Sequence, residues 1–206
     1  HMAKDITDLA LEWLKGHDDT PFFLTLNYYD LLGKYTLPPE WLEGEFSTEE
    51  RQIIDDFLKN RVILSYLQRS MAGRLELDGR FFDILRKFYA LKLSFIDKHL
   101  GRFLDGLKEL GLYENSLIAV CSDHGESLGE HAPIITHHQY SLFNELTRVM
   151  FMLRFPGQAH KGQLDDPHIQ GLDMFATMLG ASGLEPGWGH DTLPSRNLVR
   201  GFDRDY

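Results

Sequence analysis

Residues 95–126 read FIDKHLGRFLDGLKELGLYENSLIAVCSDHGE, and they combine a helical pattern with a strand pattern. The first half belongs to a helical pattern that starts after Gly79, and its apolar stripe is formed by Ile96, Leu100, Phe103, Leu107 and Leu110. Gly111 follows the stripe as a helix stop. The run from Ser116 is apolar and bounded by polar residues, which is typical of a buried strand. A long helix leading into a strand predicts an α/β layer.

Further helix and strand patterns flank this stretch on both sides. Helical spacing predicts a helix over residues 6–14 and another from Ser47 to about Ser70, where a hydroxyl and two following carboxylates would cap the helix start. The runs PFFLTLNYY from Pro21 and RVMFMLRF from Arg148 are apolar and rich in aromatic or branched residues, and they predict two more buried strands.

The composition of the chain excludes several classes of function. With 43% hydrophobic residues, the 206-residue chain can bury a core. A net charge of -10 without a long basic run argues against nucleic acid as a partner. No apolar stretch approaches the ~20 residues that span a bilayer, so no membrane segment is expected. Cys121 is the only cysteine, which excludes an intrachain disulfide and a thiolate zinc cage, and we expect it to be a buried structural thiol.

The chemistry of the chain is concentrated in SDHGESLGEH, Ser122–His131, directly after the strand that ends near Cys121. Ligand sites in open α/β sheets gather at the carboxyl ends of strands. Asp123 and His124 therefore offer a carboxylate and an imidazole that can turn toward one cation. A surface loop is the alternative that this spacing leaves open. The region is also rich in histidine, with four of the ten between residues 124 and 138.

The segment SDHGESLGEH, together with HHQYSLFNELTRV from His137, resembles the metal-binding loop and following segment of sulfatases, a family of the alkaline phosphatase superfamily. The stretch 95–126, PFFLTLNYYD from Pro21 and HIQGLDMFATMLGASGLEP from His168 resemble other sulfatase segments in the same order. The resemblance covers most of the chain.

This resemblance implies an α/β fold, an alkaline-phosphatase-like sandwich with helices packed on a mostly parallel or mixed sheet. We expect a partial domain of this kind over residues 3–185. Residues 1–2 are expected to be a cloning scar, and residues 186–206 a Gly/Pro-rich irregular tail.

The resemblance also implies roles for particular residues. Sulfatases hold a divalent cation, usually calcium, between two aspartates from an early segment and an Asp-His or Asp-Asn pair from a late one. Asp123 and His124 match the late pair, with Ca2+ expected and Mn2+ or Zn2+ as alternatives, and with weak binding in this chain alone. His138, and His137 as second choice, would contact an oxygen of the sulfuryl or phosphoryl group. His131 would orient a neighbouring residue.

The sequence departs from the sulfatase pattern in two places. The nucleophile motif Cys/Ser-x-Pro-x-Arg has no match at a suitable position, since Thr192–Arg196 (TLPSR) starts with threonine and lies at the wrong end. Relatives often carry Tyr-x-Asp-Pro-His after the first strand, where this chain has Leu32 in place of the histidine. Leucine cannot donate a proton to a leaving group. Lys34 is expected to be a solvated loop lysine.

The function implied by the resemblance is metal-dependent hydrolysis of sulfate esters by the full-length protein, with the chain inactive alone. The alternatives are a phosphodiesterase, phosphonate hydrolase or phosphotransferase of the same superfamily, and a non-catalytic binding or scaffold descendant. A third is an α/β domain whose DHG loop is only structural. Because a cut sheet leaves an uncovered edge, self-association is expected. The compartment stays open, although sulfatases are often secreted, periplasmic or lysosomal.

Overall fold

The computed structural model describes residues 2–17, 20–31, 37–59, 69, 72–74, 77, 79–131, 141–159, 162, 169–184 and 197–198. The chain divides into two compact units. The first unit comprises residues 1–110 and 124–148, and the second unit comprises residues 111–123 and 149–206. No helix of the described residues is long and apolar enough to cross a membrane.

The described residues of the first unit form the α-helices α1 (Ala3–Lys15), α2 (Thr48–Lys59), α3 (Gly79–Glu109) and α4 (Asn144–Thr147). The predicted helices over 6–14, from Ser47 and after Gly79 are therefore confirmed. Ser47 begins α2 with a capping box, because its hydroxyl accepts from the Glu50 amide at 3.2 Å while the Glu50 carboxylate accepts from the Ser47 amide at 2.8 Å. The rest of the predicted span, from residue 60 to Ser70, lies largely outside the described residues.

The long helix α3 supplies most of the core of the first unit. Its buried line runs along residues at helical spacing: Phe88, Lys92, Phe95, His99, Phe103 and Leu107. The predicted stripe was partly out of phase, since Ile96 and Leu100 are only half-buried and Leu110 is exposed. Helix α1 packs along the carboxy-terminal half of α3, where the Thr7 hydroxyl donates to the His99 carbonyl at 3.3 Å. Apolar residues alone do not reveal this phase, because two polar residues, Lys92 and His99, occupy the buried line.

The predicted strand from Pro21 forms neither strand nor helix over residues 21–29. The side chains still alternate, with Leu24, Leu26 and Tyr28 half-buried and their neighbours exposed. Alternation with a period of two is the mark of an extended chain. Within the described residues, this segment forms no ladder of backbone hydrogen bonds with another segment. It is therefore not a strand, because a strand needs a paired neighbour.

The second unit contains the sheet of the described residues, formed by β1 (Ile118–Cys121) and β2 (Phe151–Arg154). Both predicted strands are confirmed, and they pair antiparallel with Ile118 opposite Arg154 and Cys121 opposite Phe151. Helix α5 (Gly171–Ala181) belongs to the same unit. The chain is thus helix-rich with a small sheet, as expected of a partial α/β domain.

Two details of this sheet correct the sequence analysis. Its strands are half-buried rather than buried. Cys121, expected to be a buried thiol, is exposed at the end of β1. A buried strand needs a layer on each face, and along β1 the described residues leave the cysteine side chain open to solvent.

Candidate functional site

The loop Ser122–His131 leaves β1 where the sequence predicted a site. The Ser122 amide donates to the Met150 carbonyl at 3.1 Å, which continues the antiparallel pairing by one residue beyond β1. Asp123 follows with an exposed side chain. Although Cys121 is exposed, partial loss of water around its thiol raises the pKa of that thiol, and the negative charge of Asp123 raises it further. The carboxylate of Asp123 therefore lies at the solvent-exposed end of the strand.

His124 begins the part of the loop that belongs to the first unit, and its ring has a defined hydrogen bond. Its Nδ1 lies 2.7 Å from the Gly125 carbonyl oxygen. A carbonyl oxygen can only accept, so Nδ1 donates the hydrogen bond, and in the neutral form of the ring the lone pair would then lie on Nε2. Metal-binding histidines are commonly set in this way, with one ring nitrogen donating to a carbonyl and the other facing the metal.

Gly125 anchors the loop to α4. Its amide donates to the Leu146 carbonyl at 2.9 Å, and Leu146 is buried. A Cβ atom at residue 125 would lie 1.9 Å from the Glu145 carbonyl oxygen. Only glycine permits this approach, because atoms that are not bonded to one another cannot come so close. The backbone that carries His124 is therefore fixed against the residues of α4.

His131 closes the loop over the same helix. Its ring stacks on Phe143 with 3.8 Å between ring centroids, and its Nε2 lies 3.3 Å from the Glu145 carboxylate. These contacts hold the far end of the loop. They are compatible with the orienting role expected for His131.

A charged cluster behind the loop was missed by the sequence analysis. It comprises Asp30, Lys92 and Glu126, all in the first unit. Lys92 has no exposed surface, and Asp30 is 8% exposed. Burial lowers the pKa of Lys92 to about 8, against the opposing effect of the Asp30 and Glu126 charges. Burial raises the pKa of Glu126 to about 7, against the opposing effect of the His124 and Lys92 charges. Buried charges of opposite sign reduce, but do not cancel, the cost of leaving water.

A signal for this cluster was present in the sequence. Lys92 lies four residues from Phe88 and three from Phe95, on the buried line of α3. A lysine buried at such a position needs an ion-pair or hydrogen-bond partner inside the protein, or it has to lose its positive charge. Glu126 lies two residues after His124, in the motif itself, but its burial depends on α3, which is distant in sequence.

The other predicted site residues fall in parts of the chain that the structure does not describe. His137 and His138 lie within residues 132–140, Leu32 and Lys34 within 32–36, and Thr192–Arg196 within 185–196. Their assignments stay predictions. Among the described residues, no group of three or more His, Cys, Asp or Glu side chains could hold a metal ion.

Asp123 and His124 nevertheless fit a divalent cation in their chemistry. A carboxylate and a neutral imidazole with its lone pair on Nε2 are two of the ligand types that Zn2+ and related cations accept. Ca2+ prefers oxygen ligands, and only Asp123 supplies one. Two ligands are fewer than any of these ions needs, so other groups would have to complete the coordination.

Comparisons with known proteins agree with the motif. The family model described as Sulfatase matches residues 1–184. An uncharacterized sulfatase of Escherichia coli strain K12 is 27% identical over 202 residues, covering 96% of this chain and 38% of the relative. An endo-4-O-sulfatase of Bacteroides thetaiotaomicron is 30% identical over 182 residues, covering 88% of this chain and 32% of the relative. The chain thus spans well under half the length of these curated relatives.

A solved structure shares the fold of this chain. A phosphonate monoester hydrolase from Silicibacter pomeroyi superposes with a TM-score of 0.70 at 18% identity, covering 98% of this chain and 42% of that structure. This likeness confirms the alkaline-phosphatase-like α/β fold. Together with the match over residues 1–184, it leads to one conclusion: the chain belongs to the sulfatase family.

Proposed function

We propose that this chain is part of a metal-dependent hydrolase that cleaves sulfate esters. The observation that carries the proposal is the loop after β1, where Asp123 is exposed and the Nδ1 hydrogen bond of His124 leaves the ring lone pair on Nε2. The name of the Bacteroides relative, an endo-4-O-sulfatase, supports sulfate as the group removed.

In this proposal the side chains have separate tasks. A bound divalent cation would act as a Lewis acid on an ester oxygen. Asp123 and His124 would hold that cation, and the hydrogen bond from His124 to the Gly125 carbonyl would keep the imidazole in the ligating tautomer. His138, with His137 as second choice, offsets the negative charge that builds on the transferred group.

The chain taken alone is proposed to be inactive. No Cys/Ser-x-Pro-x-Arg motif occurs in it, so the nucleophile has to come from another segment. Loss of a nucleophile removes nearly all rate enhancement in enzymes whose groups act as a unit. The activity is therefore proposed for a polypeptide that carries the nucleophile segment as well.

The test is an activity assay on such a longer polypeptide with matched aryl sulfate and aryl phosphate esters, each without added metal and with Ca2+, Mn2+ or Zn2+. We expect metal-dependent turnover with preference for the sulfate ester. A preference for the phosphate ester would replace the proposal with phosphoryl chemistry on the same fold. A folded protein without turnover on either ester would favour the non-catalytic descendant.

We also propose that the chain associates with itself through an aromatic patch of the first unit, formed by Trp13, His17, Phe22 and Phe23. The Trp13 and His17 rings stack with centroids 4.4 Å apart, and Phe22 meets both rings edge-on. Phe23 is 78% exposed. Phe22 and Phe23 belong to the extended segment 21–29, so a second copy would find apolar side chains beside backbone groups that can pair.

Light scattering at rising protein concentration tests this self-association. We expect the mean mass to rise above that of the monomer, and the variant Phe23→Ser to move the transition to higher concentration. Leu142→Ser is the matched control, because Leu142 is 89% exposed in the same unit but outside the patch. A monomer mass at all concentrations, or an equal effect of both substitutions, would contradict the role of the patch.

A further inference from the structure

Lys92 has an unusual position, because it is an ammonium on the buried line of the longest helix. It has no exposed surface, and its Nζ donates to the Leu31 carbonyl at 3.2 Å. Leu31 is adjacent to Asp30, whose Oδ1 accepts from the Ala3 amide at 3.0 Å. Lys92 is thereby connected to the chain that follows the extended segment 21–29.

The carboxylates around Lys92 are incompletely satisfied by hydrogen bonds. Asp30 Oδ2 and Glu126 Oε1 are both buried, and neither has a hydrogen-bond partner within the described part of the chain. Each carboxylate lies close enough to favour the charged form of Lys92. A buried carboxylate without such a cation would be costly, so the ammonium stabilises both at once.

The loop that carries His124 also lies against α3. Glu126 is close enough to Tyr89 and Lys92, one helical turn apart, for its charge to act on both side chains. Gly129 packs so tightly on the Phe82 ring that a Cβ atom there would come within 2.2 Å of it. Ser127, between these two contacts, has no exposed surface. The loop therefore rests on α3 from Phe82 to the region of Lys92.

We propose that Lys92 is a positioning residue, which ties the segment at Asp30 and Leu31 and the loop at Glu126 to the same point of α3. The tether fixes the loop from behind, while Gly125 fixes it against the residues of α4. Lys92 itself does not touch substrate, since it is enclosed. Its effect on the site is transmitted through Glu126 to the backbone of His124, two residues away. The tether does not depend on the proposed sulfate hydrolysis, although its effect on catalysis rests on that function.

Amide hydrogen exchange on the 206-residue chain tests the tether without any substrate. In Lys92→Met, we expect the amides of Gly125 and its loop neighbours to exchange about tenfold faster or more, with the α1 and α2 amides unchanged. Methionine fills similar space without charge. Since this variant leaves two carboxylates without their cation, the double variant Lys92→Met, Glu126→Gln is measured as well.

The double variant separates tethering from simple neutralisation. If Lys92 tethers the loop, the loop amides should still exchange fast in the double variant, because the attraction between residues 92 and 126 is absent there as well. Three results would overturn the proposal: unchanged loop exchange in Lys92→Met, recovery of slow exchange in the double variant, or faster exchange spread evenly over the first unit. Faster exchange spread evenly over the first unit would mean that Lys92 stabilises the whole unit rather than the loop.

The catalytic consequence is measured on the longer polypeptide that carries the nucleophile. We expect Lys92→Met to lower kcat about 10–100-fold, the range typical of residues that orient metal ligands, while KM changes little. A wild-type polypeptide without turnover would count against the proposed hydrolysis but leave the exchange result standing. Normal exchange of the loop in an active Lys92→Met variant would count against the tether alone.

Discussion

Gly125→Ala is expected to destabilise the first unit by about 2–4 kcal/mol, as overpacking against fixed backbone does. The new methyl group would lie 1.9 Å from the Glu145 carbonyl oxygen and 2.9 Å from its carbonyl carbon. Backbone atoms cannot rotate away as a side chain can, so the loop has to move. Movement would also stretch the hydrogen bond from the Gly125 amide to the Leu146 carbonyl. Chemical denaturation of the 206-residue chain measures the change.

Gly101→Ala is the matched control for this substitution. Gly101 lies inside α3, and a Cβ atom there would meet nothing within 4 Å. Alanine is the better helix former, so this variant is expected to gain about 0.5–1 kcal/mol. Opposite signs for the same chemical change would show that position 125 is limited by space. A Gly125→Ala variant as stable as the wild type would mean that the loop is not held against the residues of α4.

Helices α1, α2 and α3 and the individual strands β1 and β2 could be predicted from local sequence because their signals are local. The apolar spacing over residues 6–14, the hydroxyl of Ser47 and the stop at Gly111 each act within a few residues. The extended segment 21–29 was predicted as a strand for the same reason, and its composition is indeed that of a strand. Pairing is a property of two segments, so one segment cannot decide it.

In the candidate site, too, some features depend on neighbouring residues in the sequence and others on distant ones. The motif at Ser122–His131 could be found from sequence, because the polar residues and the glycines are consecutive. Glu126 was missed because it is buried by contact with α3, which is distant in the sequence. Lys92 was missed because an isolated lysine in an apolar stripe is usually assigned to the surface. Only the fold brings these two charges together behind His124.

Asp123→Ala is expected to reduce kcat/KM of the longer polypeptide by about 10²-fold or more. Removal of a ligand to a catalytic cation gives up several kcal/mol of charge stabilisation in the transition state, and about 1.36 kcal/mol corresponds to a factor of ten. The side chain is exposed, so the fold should persist and the loss should be confined to activity. The metal concentration needed for half-maximal rate is also expected to rise, which a general loss of stability would not produce.

Asp105→Ala provides the matched control for Asp123→Ala, because this aspartate is 68% exposed on α3 and pairs only with neighbouring Lys108 in the described chain. It is expected to change kcat/KM less than about twofold, as exposed ion pairs contribute little. Asp123→Asn separates charge from size, since the amide retains one oxygen ligand but loses the negative charge. We expect it to lie between wild type and alanine and to recover partly at high metal concentration. Full activity of Asp123→Ala at limiting metal would remove this carboxylate from the metal site, and with it the assignment that the sulfatase motif suggests.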